Sequence, residues 1–195
     1  MKKTVCIAGV ALPALAAAVF VFCNCALWLV VSDPIPDSLD AVFTFAGESH
    51  RIVYSKELFL AHKSSRWLLS YPSRRISARL VKEGLDTSGI TIVDTCKNTS
   101  AEAAYVTDWA AKECTRFTAD RPLAIGLVST PFHMRRIRME ITRRFKGKAC
   151  KFYYLPVPYE RYGVTRQTYA TWWLNKPLCQ AVLLELQKYI FYFWT

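Results

Sequence analysis

The 195-residue chain is 52 % hydrophobic and 21 % charged. That is enough apolar material for one domain with a real core plus a small extra element, and no internal repeat or low-complexity tract is visible. The net charge is +11, and from Pro34 onward 24 basic residues stand against 14 acidic ones. Between Arg135 and Lys151 the ratio is eight to one, the single acid being Glu140. Inside a cell such a stretch suggests nucleic acid. Outside a membrane it suits anionic lipid, a polyprenyl phosphate or an anionic wall polymer, or simply a solvated face.

The extra element comes first. No charged residue occurs from Val5 to Val31, a length that crosses a bilayer with some tilt. Lys2 and Lys3 precede it, and Asp33, Asp37 and Asp40 follow. The positive-inside rule then predicts a single-pass anchor over residues 1–31, with the amino terminus in the cytoplasm and the remainder on the extracytoplasmic side of the membrane. A cleaved signal peptide is the competing reading. Against it, the apolar run exceeds the usual ~7–15 residues and ends without a small-x-small cleavage site. With the basic domain outside, no nucleic-acid partner is expected.

Residues 32–39, with Pro34 and Pro36, read as a stiff linker. A domain over residues 40–195 follows. Asp40–Ala46 reads as a first core strand closed by Gly47, which permits a tight turn where backbone approaches a ligand. A helix is predicted from Arg51 to about His62, a strand over Arg66–Ser70, a helix from Ser73 to Glu83 and a strand over Ile90–Val93. Thr99–Cys114 reads as a helix with Ala103, Val106, Ala110 and Cys114 on one face. Leu123–Val128 is an apolar run of buried-strand type. Thr130 as N-cap and Pro131 at the first helical position then open a helix whose apolar face is Met134, Ile137, Ile141 and Phe145. Cys150–Val157 gives a last strand, edge-like because of Pro156. In the tail, Asn175 and Pro177 suggest a helix restart. Its aromatic end, Tyr189–Trp194, is either core packing or a membrane-interface cluster beside the anchor.

Strands alternating with helices predict an α/β domain with a parallel sheet and helices on both faces. Ligands in such sheets sit beyond the carboxyl ends of the strands. That brings into play Gly47 and Glu48, Ser70, Asp94, and Ser129 with Thr130. A strand running into a capped helix favours an anion, and His133 and Arg136 would flank it. His133 suits a general acid, a nucleophile or a phosphate ligand, or a plain packing role at a helix start. Arg136 suits a bidentate phosphate clamp or one more charge on a basic face. Arg51 offers a second positive charge, or a salt bridge to Glu48 or Asp94. Asp94 is the candidate acid partner of His133, or simply a loop residue. Thr99-Ser-Ala-Glu102 reads as a capping box, with Thr99 as N-cap.

Cys96, Cys114, Cys150 and Cys179 lie outside the anchor, and their spacing matches no zinc pattern. They allow three disulfide pairings or remain free buried thiols. There is no Walker loop, metal triad or nucleophile elbow, which weighs against an enzyme, and no cofactor is expected.

Taken together, the anchor, the Asp-x-apolar strand ending in Gly47, Arg51 opening the next helix, the Asn98-Thr99 helix start, Ser129-Thr130-Pro131-Phe132-His133-Met134-Arg135-Arg136 and a Trp-containing tail resemble the YdcF-like family, whose membrane-anchored members include SanA and ElyC. The resemblance spans about Asp40 to Tyr192. It implies a Rossmann-like three-layer domain and a role in envelope integrity, connected with peptidoglycan or its lipid carrier and with vancomycin resistance. By motif match it carries over Gly47, Arg51, Asn98, Thr99, Thr130, His133 and Arg136 as site residues. Three departures stand out. Tyr71 occupies a usual glycine, Arg135 a usual proline, and Ala101 the place of a carboxylate that comes one residue later, as Glu102. Two functions follow as expectations. One is an envelope factor holding an anionic small molecule or lipid-linked phosphate; the other is a phosphoester hydrolase or transferase acting on such a lipid.

Overall fold

The computed structural model describes residues 2–64, 66–71, 75–147 and 149–194, with backbone alone for residues 2–12, 75, 77, 193 and 194. The long first helix, α1 (Lys2–Leu29), leads to five parallel strands alternating with helices. These are β1 (Ala41–Thr44), α2 (Ser49–Ala61), β2 (Arg66–Ser70), α3 (Arg75–Lys82), β3 (Ile90–Val93), α4 (Thr99–Glu113), β4 (Leu123–Ser129), α5 (Met134–Arg144) and β5 (Cys150–Pro156). A short helix α6 (Arg166–Ala170) and a long one, α7 (Lys176–Trp194), complete the chain. The expected helix start at Ser73 lies outside the described residues, as do Lys148 and the side chains in the first part of the Val5–Val31 run.

The strand order is β3-β2-β1-β4-β5, and all four pairings are parallel. This is a Rossmann-like α/β arrangement. The chain builds outward from β1 to β3 on one side, then crosses through α4 to β4 on the other, so strand order reverses between β1 and β4. The carboxyl ends of those two strands therefore flank a crevice.

Alternation along the strands sets the layers. Ala41, Phe43 and Phe45 of the β1 segment face α4 and α5 in one apolar cluster, with Val106, Ala110, Met134 and Ile137 fully buried there. Val42 turns to the other side, where Ile52 and Leu58 of α2 and Ile76 and Leu80 of α3 meet Trp67 and Leu69. Burying a side chain the size of Phe43 stabilises by about 2–3 kcal/mol. Trp67 has a polar tip to satisfy as well. Its indole Nε1 donates to Thr44 Oγ1 at 2.9 Å, and that hydroxyl donates to Ser55 Oγ at 2.6 Å.

β5 is an edge strand, as Pro156 requires. The segment after α1 covers part of that edge: Asp33 N–H donates to the Tyr154 carbonyl, and its carboxylate accepts from the Tyr154 N–H, both at 2.9 Å. A third cluster closes the carboxyl end of the sheet. In it Ala26 and Leu29 at the end of α1 are buried with Phe132, Tyr169, Trp172 and Val182. Earlier on α1, Leu15, Phe20 and Val21 are more than 60 % exposed. Among the described residues no helix is long and apolar enough to cross a membrane.

Candidate functional site

At the crevice, β1 ends in Phe45-Ala46-Gly47, and α2 brings Arg51 back beneath that turn. Gly47 has φ +150°, and a Cβ there would lie 2.6 Å from the Arg51 Cζ. What approaches this glycine is thus the guanidinium of its own chain. Arg51 is 9 % exposed; its Nη1 donates to the carbonyls of Phe45 and Ala46, and its Nη2 donates to Thr130 Oγ1 at 3.1 Å. Its Nε is buried with no hydrogen-bond partner. Neither Glu48 nor Asp94 makes the expected salt bridge, and among the described residues no carboxylate lies within ion-pair distance of it. Burial pulls its pKa down, while the nearby charges of Glu48, Glu102 and Glu185 act to raise it.

The α5 side of the crevice departs from expectation. Thr130 does stand at a helix start, but its hydroxyl accepts from Arg51 and makes no cap. Pro131–His133 form a 3-10 turn before α5 begins, and His133 N–H bonds the Thr130 carbonyl. This turn keeps the first turn of α5 from presenting free N–H groups directly at the strand end. The helix start that does border the crevice is that of α4. Its N-cap is Asn98, whose side-chain oxygen accepts from Ala101 N–H at 2.9 Å. Asn98 at the cap makes Thr99 the first helical residue and Glu102 the fourth, one step too far for a capping box.

Glu102 is consequently free for another use. It is 4 % exposed and accepts from the Ala46 N–H at 2.6 Å. This carboxyl thus ties the start of α4 to the end of β1. Burial raises its pKa above the ordinary value, against the lowering contributions of Ser70, Ala46, Arg51 and Arg136.

His133 and Arg136 lie one turn apart and are held by a residue that sequence reading missed, Glu185 of α7. Arg136 grips it in bidentate fashion, Nε to Oε2 at 3.1 Å and Nη2 to Oε1 at 3.2 Å, and Lys188 Nζ adds a third contact at 3.1 Å. Burial works against the charge of Glu185, but the Arg136 guanidinium opposite it helps hold the carboxyl below its ordinary range. Arg136 Nη2 also reaches His133 Nδ1 at 2.7 Å. Glu185 Oε2 lies 3.3 Å from the same nitrogen, but the shorter contact comes from an arginine, which can only donate; Nδ1 is therefore the acceptor and the ring proton sits on Nε2, 3.0 Å from Thr99 Oγ1. Burial, seconded by the charge of Arg136 against the opposing Glu185, depresses the His133 pKa to about 4. The ring is neutral near pH 7. It offers Thr99 a hydrogen bond, and neither of its nitrogens is a free base.

Arg51, Asn98, Thr99, His133 and Arg136 line one polar cavity of about 300 Å³ together with Lys97, Glu102, Glu185 and Lys188. Gly47 supports it through Arg51. Ser129 closes β4 fully buried, and its Oγ has no hydrogen-bond partner. Asp94 is exposed at the end of β3 and does not line this cavity; the carboxylate beside His133 is Glu185. A second cavity of about 550 Å³ adjoins the first and shares Arg51, Glu185 and Lys188 with it. Its other walls are mainly aromatic and aliphatic: Phe132, Tyr159, Tyr169, Leu178, Ala181 and Leu184. Among the described residues, no group of three histidine, cysteine or carboxylate side chains is placed to hold a metal.

Fold and site together define a Rossmann-like α/β protein with a cationic pocket at its topological switch point and an apolar cavity against it. Comparison with protein families, with curated proteins and with solved structures finds no match to this chain.

Proposed function

We propose that the protein is a membrane-anchored bacterial envelope factor of the YdcF-like type, which binds a lipid-linked phosphate and supports envelope integrity and peptidoglycan or lipid-carrier metabolism. The observation that carries this reading is the junction of the two cavities at Arg51, Glu185 and Lys188. A phosphate head in the polar cavity would meet Arg51, Lys97 and Lys188, and its chain would lie along Phe132, Tyr169 and Leu184. Arg51 is the anchor, since it is a buried cation bonded only to neutral oxygens. The α4 start, with its first N–H groups and dipole, adds to the positive field. Exposed apolar residues along α1 support the anchor, and the last turn of α1, packed beside the second cavity, would keep its mouth near the bilayer.

The alternative is a phosphoester hydrolase or transferase on such a lipid. It draws on Glu102, a carboxyl at the strand ends whose pKa burial raises, as a candidate proton donor. Holding the ligand is the reading we favour, because His133 is neutral and occupied on both nitrogens. One experiment separates the two. Full-length protein is mixed with inorganic phosphate or a short-chain prenyl phosphate; melting temperature is read at once and released phosphate over hours. A binder is stabilised by about 2.7 kcal/mol at 100 times the dissociation constant and releases nothing. Phosphate release lost in Glu102→Gln would establish the enzyme. No shift with either ligand would remove the pocket as a phosphate site. For the topology, a C-terminal alkaline phosphatase fusion is expected to be active, and an inactive fusion of normal abundance would overturn it.

A further inference from the structure

Away from the crevice, at the amino-terminal end of the sheet, two cysteines meet. Cys114 begins the 3-10 turn Cys114–Arg116 that ends α4, and Cys150 is the first residue of β5. Their sulfurs sit on consecutive carbonyls of the same helical turn, Cys114 Sγ 3.3 Å from the Ala111 oxygen and Cys150 Sγ 3.5 Å from that of Ala110. The two thiols are also near enough for Cys114 to disfavour the thiolate of Cys150. Both belong to the cluster formed by Ala110, Phe117, Phe145 and Phe152, so the surrounding packing already holds them face to face. Cys150 is 8 % exposed, whereas Cys114 is half-buried and reachable from solvent.

We propose that Cys114 and Cys150 are the site of a reversible disulfide that ties the end of α4 to the start of β5. The segment between them contains β4 and α5, and with these Thr130, His133 and Arg136. The bond would close this segment into a loop anchored on α4, the helix that supplies Thr99 and Glu102 to the same pocket. The oxidant is a disulfide, either of low molecular weight or in a thiol oxidase. The Cys114 thiolate attacks it, forms a mixed disulfide and releases one thiol. Cys150 then loses its proton to solvent and attacks the Cys114 sulfur, releasing the second thiol. Two thiols are oxidised and one external disulfide is reduced. Burial first, then contact with Cys114, pushes the Cys150 thiol up to about 12, so the second step accelerates as pH rises.

The test uses the full chain, reduced and then exposed to oxidised glutathione. Proteolysis without reductant should yield a peptide pair joined through Cys114 and Cys150, two hydrogens lighter than the free dithiol. Melting temperature should rise by on the order of 10 °C, as expected for closing a loop of this length, and a reductant should reverse the rise. Cys96→Ser with Cys179→Ser should keep both effects; Cys150→Ser should lose them. Cys114→Ser serves if the buried change prevents folding. A chain that stays in the dithiol form, that links other cysteines, or that melts unchanged when linked would overturn the proposal.

Discussion

The two arginines of the pocket are buried to nearly the same degree and solve the problem of a buried charge in opposite ways. Arg136 is clamped by the Glu185 carboxylate, which Lys188 also holds. Arg51 has two carbonyls and a hydroxyl, with its Nε unpartnered. A cation neutralised by its own carboxylate is part of the scaffold. A cation left with neutral partners still has its field to offer, and an arriving anion gains most there. If the pocket holds an anion as proposed, Arg136, which the sequence presents as a phosphate clamp, acts chiefly in positioning, and Arg51, which the sequence presents as secondary, is the stronger ligand group.

Substitutions can break this contrast. The largest effect is expected from Glu185→Ala, which strands Arg136 as a buried charge. The cost is about 3–5 kcal/mol, read as a fall in melting temperature of roughly 10 °C. Arg51→Met should move stability far less while removing phosphate binding. Equal destabilisation by the two changes would erase the distinction.

The next effect is a dependence on pH. His133 is held at about 4 in the folded protein against 6.5 when unfolded. The unfolded chain then binds more protons across that window, so stability is complete above about pH 6.5 and falls as pH drops toward 4. The loss reaches about 3 kcal/mol. Denaturant unfolding of wild type and His133→Asn over this range should show the slope in the first and a flattened slope in the second.

Gly47→Ala comes third. A side chain at φ +150° is strained, and its Cβ would displace the Arg51 guanidinium. The expected cost is about 1–3 kcal/mol, together with weaker phosphate binding. A stable variant of unchanged affinity would mean that Arg51 does not depend on this turn. Asn98→Ala is the smallest, about 1 kcal/mol for a lost cap. An Asn98→Ala variant as stable as the wild type would show that Asn98 does not cap α4.

Much of the fold is legible in the sequence because the strands are apolar runs with clear punctuation. Arg66–Ser70 and Ile90–Val93 fall where the pattern puts them, and the apolar faces of α4 and α5 are those predicted by their spacing. The convergence of Arg51, Thr130, His133 and Arg136 is legible as well, since a parallel sheet sends the residue after each strand to one end. What was hidden depends on small shifts or long distances. Asn98, one residue before the expected cap, moves Glu102 off the capping-box position and into the pocket. Glu185 lies 49 residues from Arg136 in a helix that reads as apolar and aromatic. Its signal was its isolation, for it is the one acidic residue after Glu160. Asp94 looked suitable because it follows a strand, yet β3 is the far edge of the sheet.

The most direct test of the pocket is a calorimetric titration of the full-length protein with farnesyl phosphate, farnesol and inorganic phosphate. If the cationic and apolar cavities hold one ligand between them, farnesyl phosphate binds more tightly than either fragment, and Arg51→Met weakens it to the level of farnesol. Equal affinity for inorganic phosphate and farnesyl phosphate, or full affinity in Arg51→Met, would contradict that account.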